Sequence, residues 1–199
     1  MAKKKDQTKG IFCLEEPAWG GRVTDPTTVE PVLRLLEKLK DLAVPYLHHD
    51  CATREEFEFF LPKWVGGSFG KYPILYLGFH GGPGEITVGQ QSVTLKDLEA
   101  LLGDGTCAGR LIHFGACSTL AASEQKLNRF LSRTGALAVC GYTKTVPFLE
   151  SCAFEVLLLG RLQCVSFRRS ASVRKFDDEL RKRARGLYES LGFRMRWLD

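Results

Sequence analysis

The chain has no Cys-x-x-Cys pair, no internal repeat, no low-complexity stretch and no apolar run long enough to span a bilayer. The basic start, Met1 to Asp6, has no apolar h-region behind it. No secretory signal is read there, and a cytoplasmic location is expected. The seven cysteines are odd in number and several lie inside apolar runs. That usage argues against a disulfide framework or a structural zinc site and suits a reducing compartment. Gly81-Gly82-Pro83-Gly84-Glu85 is glycine-rich. It fits neither Gly-x-Gly-x-x-Gly nor a Walker motif, so no phosphate cradle is read. His48-His49-Asp50 lacks a second cluster at ligand spacing, so no metal is expected. No organic cofactor is expected either.

What remains is a chain of 199 residues, 44% hydrophobic and 26% charged, which suits one ordinary globular domain over residues 1–199. Residues 1–9 are expected to form a mobile basic tail. The net charge of +5 is uneven, with Arg168, Arg169, Arg174, Lys175, Arg181, Lys182, Arg183 and Arg185 near the end. This stretch reads first as a solvated helix face balanced by Asp177, Asp178, Glu179 and Glu189. No basic motif interleaved with aromatics supports nucleic-acid binding.

Strand and helix patterns alternate along the chain. Strands are predicted over 10–14, 43–49, 74–79, 111–114 and 137–142, with a closing strand at 193–198. Helices are predicted over 29–42, from Thr53 with Glu56 at capping-box spacing, and over 95–102, 123–133, 147–161 and 172–191. A polar hairpin is predicted from 85–88 to 91–94. The central runs are continuously apolar, as strands covered on both faces should be. The expected fold is α/β: a three-layer α/β/α sandwich with a mostly parallel central sheet, caspase-like or flavodoxin-like.

Two runs carry the chemistry. One ends in Phe79-His80-Gly81-Gly82 and the other in Phe114-Gly115-Ala116-Cys117-Ser118. In open α/β sheets, sites form beyond the carboxyl ends of strands. Neighbouring parallel strands would bring His80 and Cys117 together as base and nucleophile. Gly81 lets the backbone approach a substrate closely, and its amide with that of Cys117 could hold an oxyanion. His113 shares a strand face with Gly115 and Cys117 by the period-two rule. It could orient the pair, though a core histidine is the preferred reading.

The two motifs, so placed, resemble those of the caspase-like cysteine peptidases, with the bacterial CHAT domains nearest in pattern. Gly115 and Ser118-Thr119 depart from the Gln-Ala-Cys pattern of true caspases. The resemblance implies a cysteine endopeptidase acting on a protein substrate in a bacterial signalling or defence pathway. Control is then expected from a regulatory protein partner, oligomerisation or a zymogen-like closed loop; composition gives no membrane partner and makes a nucleic-acid partner an unfavoured reading. Val139 to Pro147, which includes Tyr142, is similar to the strand and loop that line the specificity pocket in CHAT domains. By the same resemblance Glu150 could pair with a basic substrate side chain, and Arg22 with an acidic one. Asp25 and Glu85 are weaker acidic candidates. Two alternatives stand beside this reading. One is a catalytically silent scaffold that binds a protein partner through the basic C-terminal region. The other is an acyl transferase or another thiol hydrolase.

Overall fold

The computed structural model describes residues 8–19, 22 and 24–198. In chain order the elements are β1 (Ile11–Glu15), α1 (Glu30–Lys38), β2 (Tyr46–Asp50), α2 (Arg54–Trp64), β3 (Ile74–Gly78), β4 (His80–Gly82), β5 (Glu85–Val88), β6 (Gln91–Thr94), α3 (Leu95–Leu102), β7 (Leu111–Phe114), α4 (Glu124–Thr134), β8 (Ala138–Tyr142), α5 (Phe148–Leu162), α6 (Ser170–Arg183), α7 (Arg185–Ser190) and β9 (Phe193–Arg196).

The central sheet runs β2-β1-β3-β7-β8-β9. All its pairings are parallel except β8 with β9. The continuously apolar runs β1, β3, β7 and β8 take the interior positions and are buried along their whole length. Helices cover both faces. On one, Phe12, Leu75, Ile112 and Val139 pack with Phe57 and Trp64 of α2, Leu98 of α3 and Phe130 of α4. On the other, Ile11, Ile74, Leu111 and Cys140 pack with Leu36 of α1, Phe154 and Leu158 of α5 and Val173 of α6. This is the three-layer α/β/α sandwich, with its two apolar cores separated by the sheet.

Local chemistry sets several boundaries. Thr53 caps α2 in a complete capping box: its Oγ1 accepts from the Glu56 amide at 3.3 Å and the Glu56 carboxylate accepts from the Thr53 amide at 3.1 Å. Pro62 lies inside α2 without ending it, because Trp64 continues the helix into the core. Helix α1 stops at Lys38, short of the expected 42. Leu36 is its last buried apolar residue, and Leu39 is exposed and extended, so burial no longer favours helix there. The charged segment near the end divides at Ala184 into α6 and α7, which lets Tyr188 pack on Phe154 and Phe193.

Residues 1–7 of the expected tail lie outside the described residues. Lys9 is no part of a mobile tail: its amide donates to Gln163 Oε1 at 2.8 Å and its Nζ to the Gln163 carbonyl at 3.1 Å. Among the described residues, no helix is long and apolar enough to cross a membrane.

Candidate active site

Strands β3 and β7 are parallel neighbours, with Ile74 opposite Leu111 and Leu77 opposite Phe114. Counting on in that register sets Cys117 opposite His80, both just past the carboxyl ends of the strands. The chain after β3 enters β4, which pairs with β5 in a small antiparallel sheet. His80 therefore heads a strand, where the sequence pattern suggested a turn. Its neighbour Gly81 lies directly against the Cys117 segment. A Cβ at Gly81 would stand 2.5 Å from Thr119 Oγ1 and 2.8 Å from the Cys117 carbonyl oxygen, so only glycine fits. The histidine strand and the cysteine turn are thus in backbone contact, and the two proposed oxyanion donors, Gly81 and Cys117, are adjacent.

Cys117 is presented by a strained turn. Ser118 has φ +61°, in the left-handed region that costs a non-glycine residue about 1 kcal/mol. The loop after β8 holds this turn: the Ser118 amide donates to the Lys144 carbonyl at 3.1 Å, and the Val146 amide donates to Cys117 Sγ at 3.5 Å. The sulfur is thereby held as an acceptor, the role a nucleophilic thiolate needs.

His80 is oriented from the other side. Its Nε2 lies 2.8 Å from the Trp19 carbonyl oxygen. A carbonyl only accepts, so Nε2 carries the proton and Nδ1 of the neutral ring keeps its lone pair. Trp19 is itself fixed, because its indole N–H donates to Glu15 Oε1 at 2.7 Å. Glu15 ends β1, is buried, and also accepts from Thr28 Oγ1, the Val29 amide and His48 Nε2, at 2.7, 2.8 and 2.6 Å. Burial pulls the His48 pKa down, but the Glu15 carboxylate outweighs it and the net shift is upward. Cys13, Glu15 and His48 place their donor atoms within 4.8 Å of one another. The four donors already on Glu15 account for its carboxylate. Burial pushes the Glu16 carboxyl up, against the opposing pull of His80, and its Oε2 is buried without a hydrogen-bond partner.

His80 and Cys117 line one cavity of about 250 Å³. Its walls are Trp19, Thr27, Val29, Tyr76, Val146 and Phe148, with Gly115 and Ser151. Gly115 is required there: a Cβ would meet the Tyr76 hydroxyl at 2.6 Å.

The remaining sequence candidates lie elsewhere. Glu150 is on α5 but exposed, and does not line the cavity; the first turn of α5 directs Phe148 and Ser151 inward in its place. Tyr142 is buried, its hydroxyl donating to Glu155 at 2.8 Å, and is closed off from the cavity. Arg22 is exposed and also outside the lining. Asp25 accepts from the Thr27 amide, and Glu85 accepts from Ser92 in the small sheet. His113 does not orient the pair. Its Nε2 lies 3.2 Å from Glu155 Oε1 and its Nδ1 3.4 Å from Cys140 Sγ, in a fully buried cluster completed by Tyr76. The basic C-terminal stretch is partly neutralised, with Arg185 on Glu189 at 2.9 Å and Lys175 on Glu179 at 4.0 Å.

Sequence reasoning missed Glu15, Trp19 and Glu155. Glu15 and Glu155 offered one weak signal each, a carboxylate inside an otherwise apolar run. Trp19 offered none, since its contribution is a backbone carbonyl.

Fold and site together define an α/β/α sandwich whose sheet presents a histidine and a cysteine to a common cavity. Over residues 8–197 the chain matches, and belongs to, a family of unknown function, DUF6642. No curated protein matches it.

Proposed function

We propose that this protein is a cysteine endopeptidase of caspase-like type, nearest in pattern to the CHAT domains. One observation carries the reading: His80 and Cys117 share a cavity, and the Trp19 carbonyl fixes the histidine tautomer that can act as a base. Cys117 gives its proton to His80 Nδ1 as its sulfur bonds to the peptide carbonyl carbon. The amides of Gly81 and Cys117 stabilise the oxyanion. The carbon–nitrogen bond breaks as His80 protonates the leaving amine. Water, deprotonated by His80, then hydrolyses the thioester and restores the thiol. No step calls on a metal or an organic cofactor.

The substrate is a protein, and the setting is cytoplasmic, in a bacterial signalling or defence pathway. A protein partner controls activity. The test is to expose the purified chain to a denatured-protein mixture and identify new termini by mass spectrometry, beside the Cys117→Ala variant. Cleavage by the native chain and none by the variant is expected. Equal cleavage by both would remove the peptidase reading.

A further inference from the structure

We infer that the cavity beside Cys117 is a specificity pocket for an uncharged, large apolar side chain, aromatic or leucine-like, on the residue before the cut. The inference rests on the peptidase reading and names its substrate class. The sequence pointed instead to a charged residue, through Glu150 or Arg22.

The walls decide the matter. Trp19 and Phe148 meet edge to face with ring centroids 6.0 Å apart, and Trp19 stands in the same way 5.5 Å from His80. Tyr76 closes the inner end, with Val29 and Val146 beside it. Among the described residues, no Asp, Glu, Lys or Arg lines the space. Glu15 and Glu155 are committed: Glu15 holds four donors and Glu155 accepts from Tyr76, Tyr142 and His113. Glu16 keeps Oε2 buried without a hydrogen-bond partner, but it stands outside the lining. Among the described residues of the lining, a substrate ammonium or guanidinium meets no carboxylate, and a substrate carboxylate meets no Lys or Arg. Either charge would be desolvated without a partner, the costliest outcome for a buried group. The two hydroxyls of the lining, Thr27 and Ser151, are uncharged, and Ser151 Oγ donates to the Phe148 carbonyl at 2.8 Å. Phe148 of the lining is 39% exposed, so an apolar side chain entering beside it removes both its own surface and part of that ring from water.

The experiment uses acyloxymethyl ketones of N-acetyl amino acids, with Phe, Leu, Arg, Lys or Asp as the recognised residue. Labelling of Cys117 is followed by intact mass and peptide mapping, with iodoacetamide as a probe that recognises no side chain. Phe and Leu probes are expected to label at least about tenfold faster than the charged ones, from the burial of one apolar side chain. Ser151→Asp should invert the order towards Arg, and Phe148→Ala, at the exposed rim, should erase the advantage of Phe. Equal rates, or a faster charged probe on the native chain, would overturn the pocket assignment and leave the peptidase standing. Alkylation by iodoacetamide with no labelling by any ketone would take down both.

Discussion

Two histidine–cysteine pairs of neighbouring strands β3, β7 and β8 differ in almost everything but composition. His113 and Cys140 come from the middle of β7 and β8, are fully buried, and touch at 3.4 Å. Burial pushes the Cys140 thiol well above its ordinary pKa, so it stays protonated at neutral pH. His80 and Cys117 come from beyond strand ends, and both face an open cavity. The first pair is in direct contact and has no access. The second has access, an acceptor role for its sulfur and a fixed imidazole tautomer. Under the proposed peptidase reading, access, room for a carbonyl carbon and a donor for the oxyanion count for more than contact between the base and the thiol.

The largest expected difference between the pairs is kinetic. Iodoacetamide should modify Cys117 in the folded protein, whereas Cys140 must wait for the sheet to open. Native-state alkylation of Cys140 should be slower by at least about 10³-fold, given that core strands open only near the global unfolding free energy. Peptide mapping over a time course reads this directly, and comparable rates would break the comparison.

Stability should separate the pairs next. Glu155→Ala leaves the Tyr76 and Tyr142 hydroxyls and His113 without their acceptor, and should cost at least about 3 kcal/mol from stranded buried donors. The Tyr76 and Tyr142 phenols stay protonated, since burial first and Glu155 second push both pKa values up. His80→Ala removes one hydrogen bond of an exposed residue and should cost about 1 kcal/mol or less. Urea denaturation at pH 7 measures both. A His80 cost matching that of Glu155 would mean that the site is as structural as the core.

The smallest effect concerns the support beneath the site. The His48 pKa is raised above its ordinary 6.5, Glu15 outweighing burial. Because the folded value lies above the unfolded one, this pair stabilises fully below about 6.5 and loses its contribution as pH rises through the folded value. Thermal melting from pH 6 to 8 should show a small decline in the native chain that His48→Gln lacks. An unchanged slope in that variant would assign the decline to another group.

Much of this architecture was legible in local patterns. The apolar runs named the interior strands, Thr53 with Glu56 named the start of α2, and Gly89-Gln90 named the turn of the hairpin, because each depends on residues a few positions apart. The misplacements have local causes too. The spacing of Leu39 extends the expected α1 beyond Lys38, but Leu39 is exposed in the fold. Tyr142 and Glu150 lie in the segment that follows β7, and their directions depend on the sheet register for Tyr142 and on how α5 docks for Glu150. The charges of Glu150 and Arg22 are turned outward by the fold.

By its own order of residues the chain determined an alternating α/β sandwich and put an imidazole and a thiol past the ends of two strands, since burial period and capping act over short spans. Only the folded arrangement decided that these two groups share a cavity, that Trp19 supplies its carbonyl to His80, and that His113 is sealed away with Glu155. Those outcomes join residues from strands and loops far apart in the chain, and the sheet register, which no single segment contains, sets who meets whom.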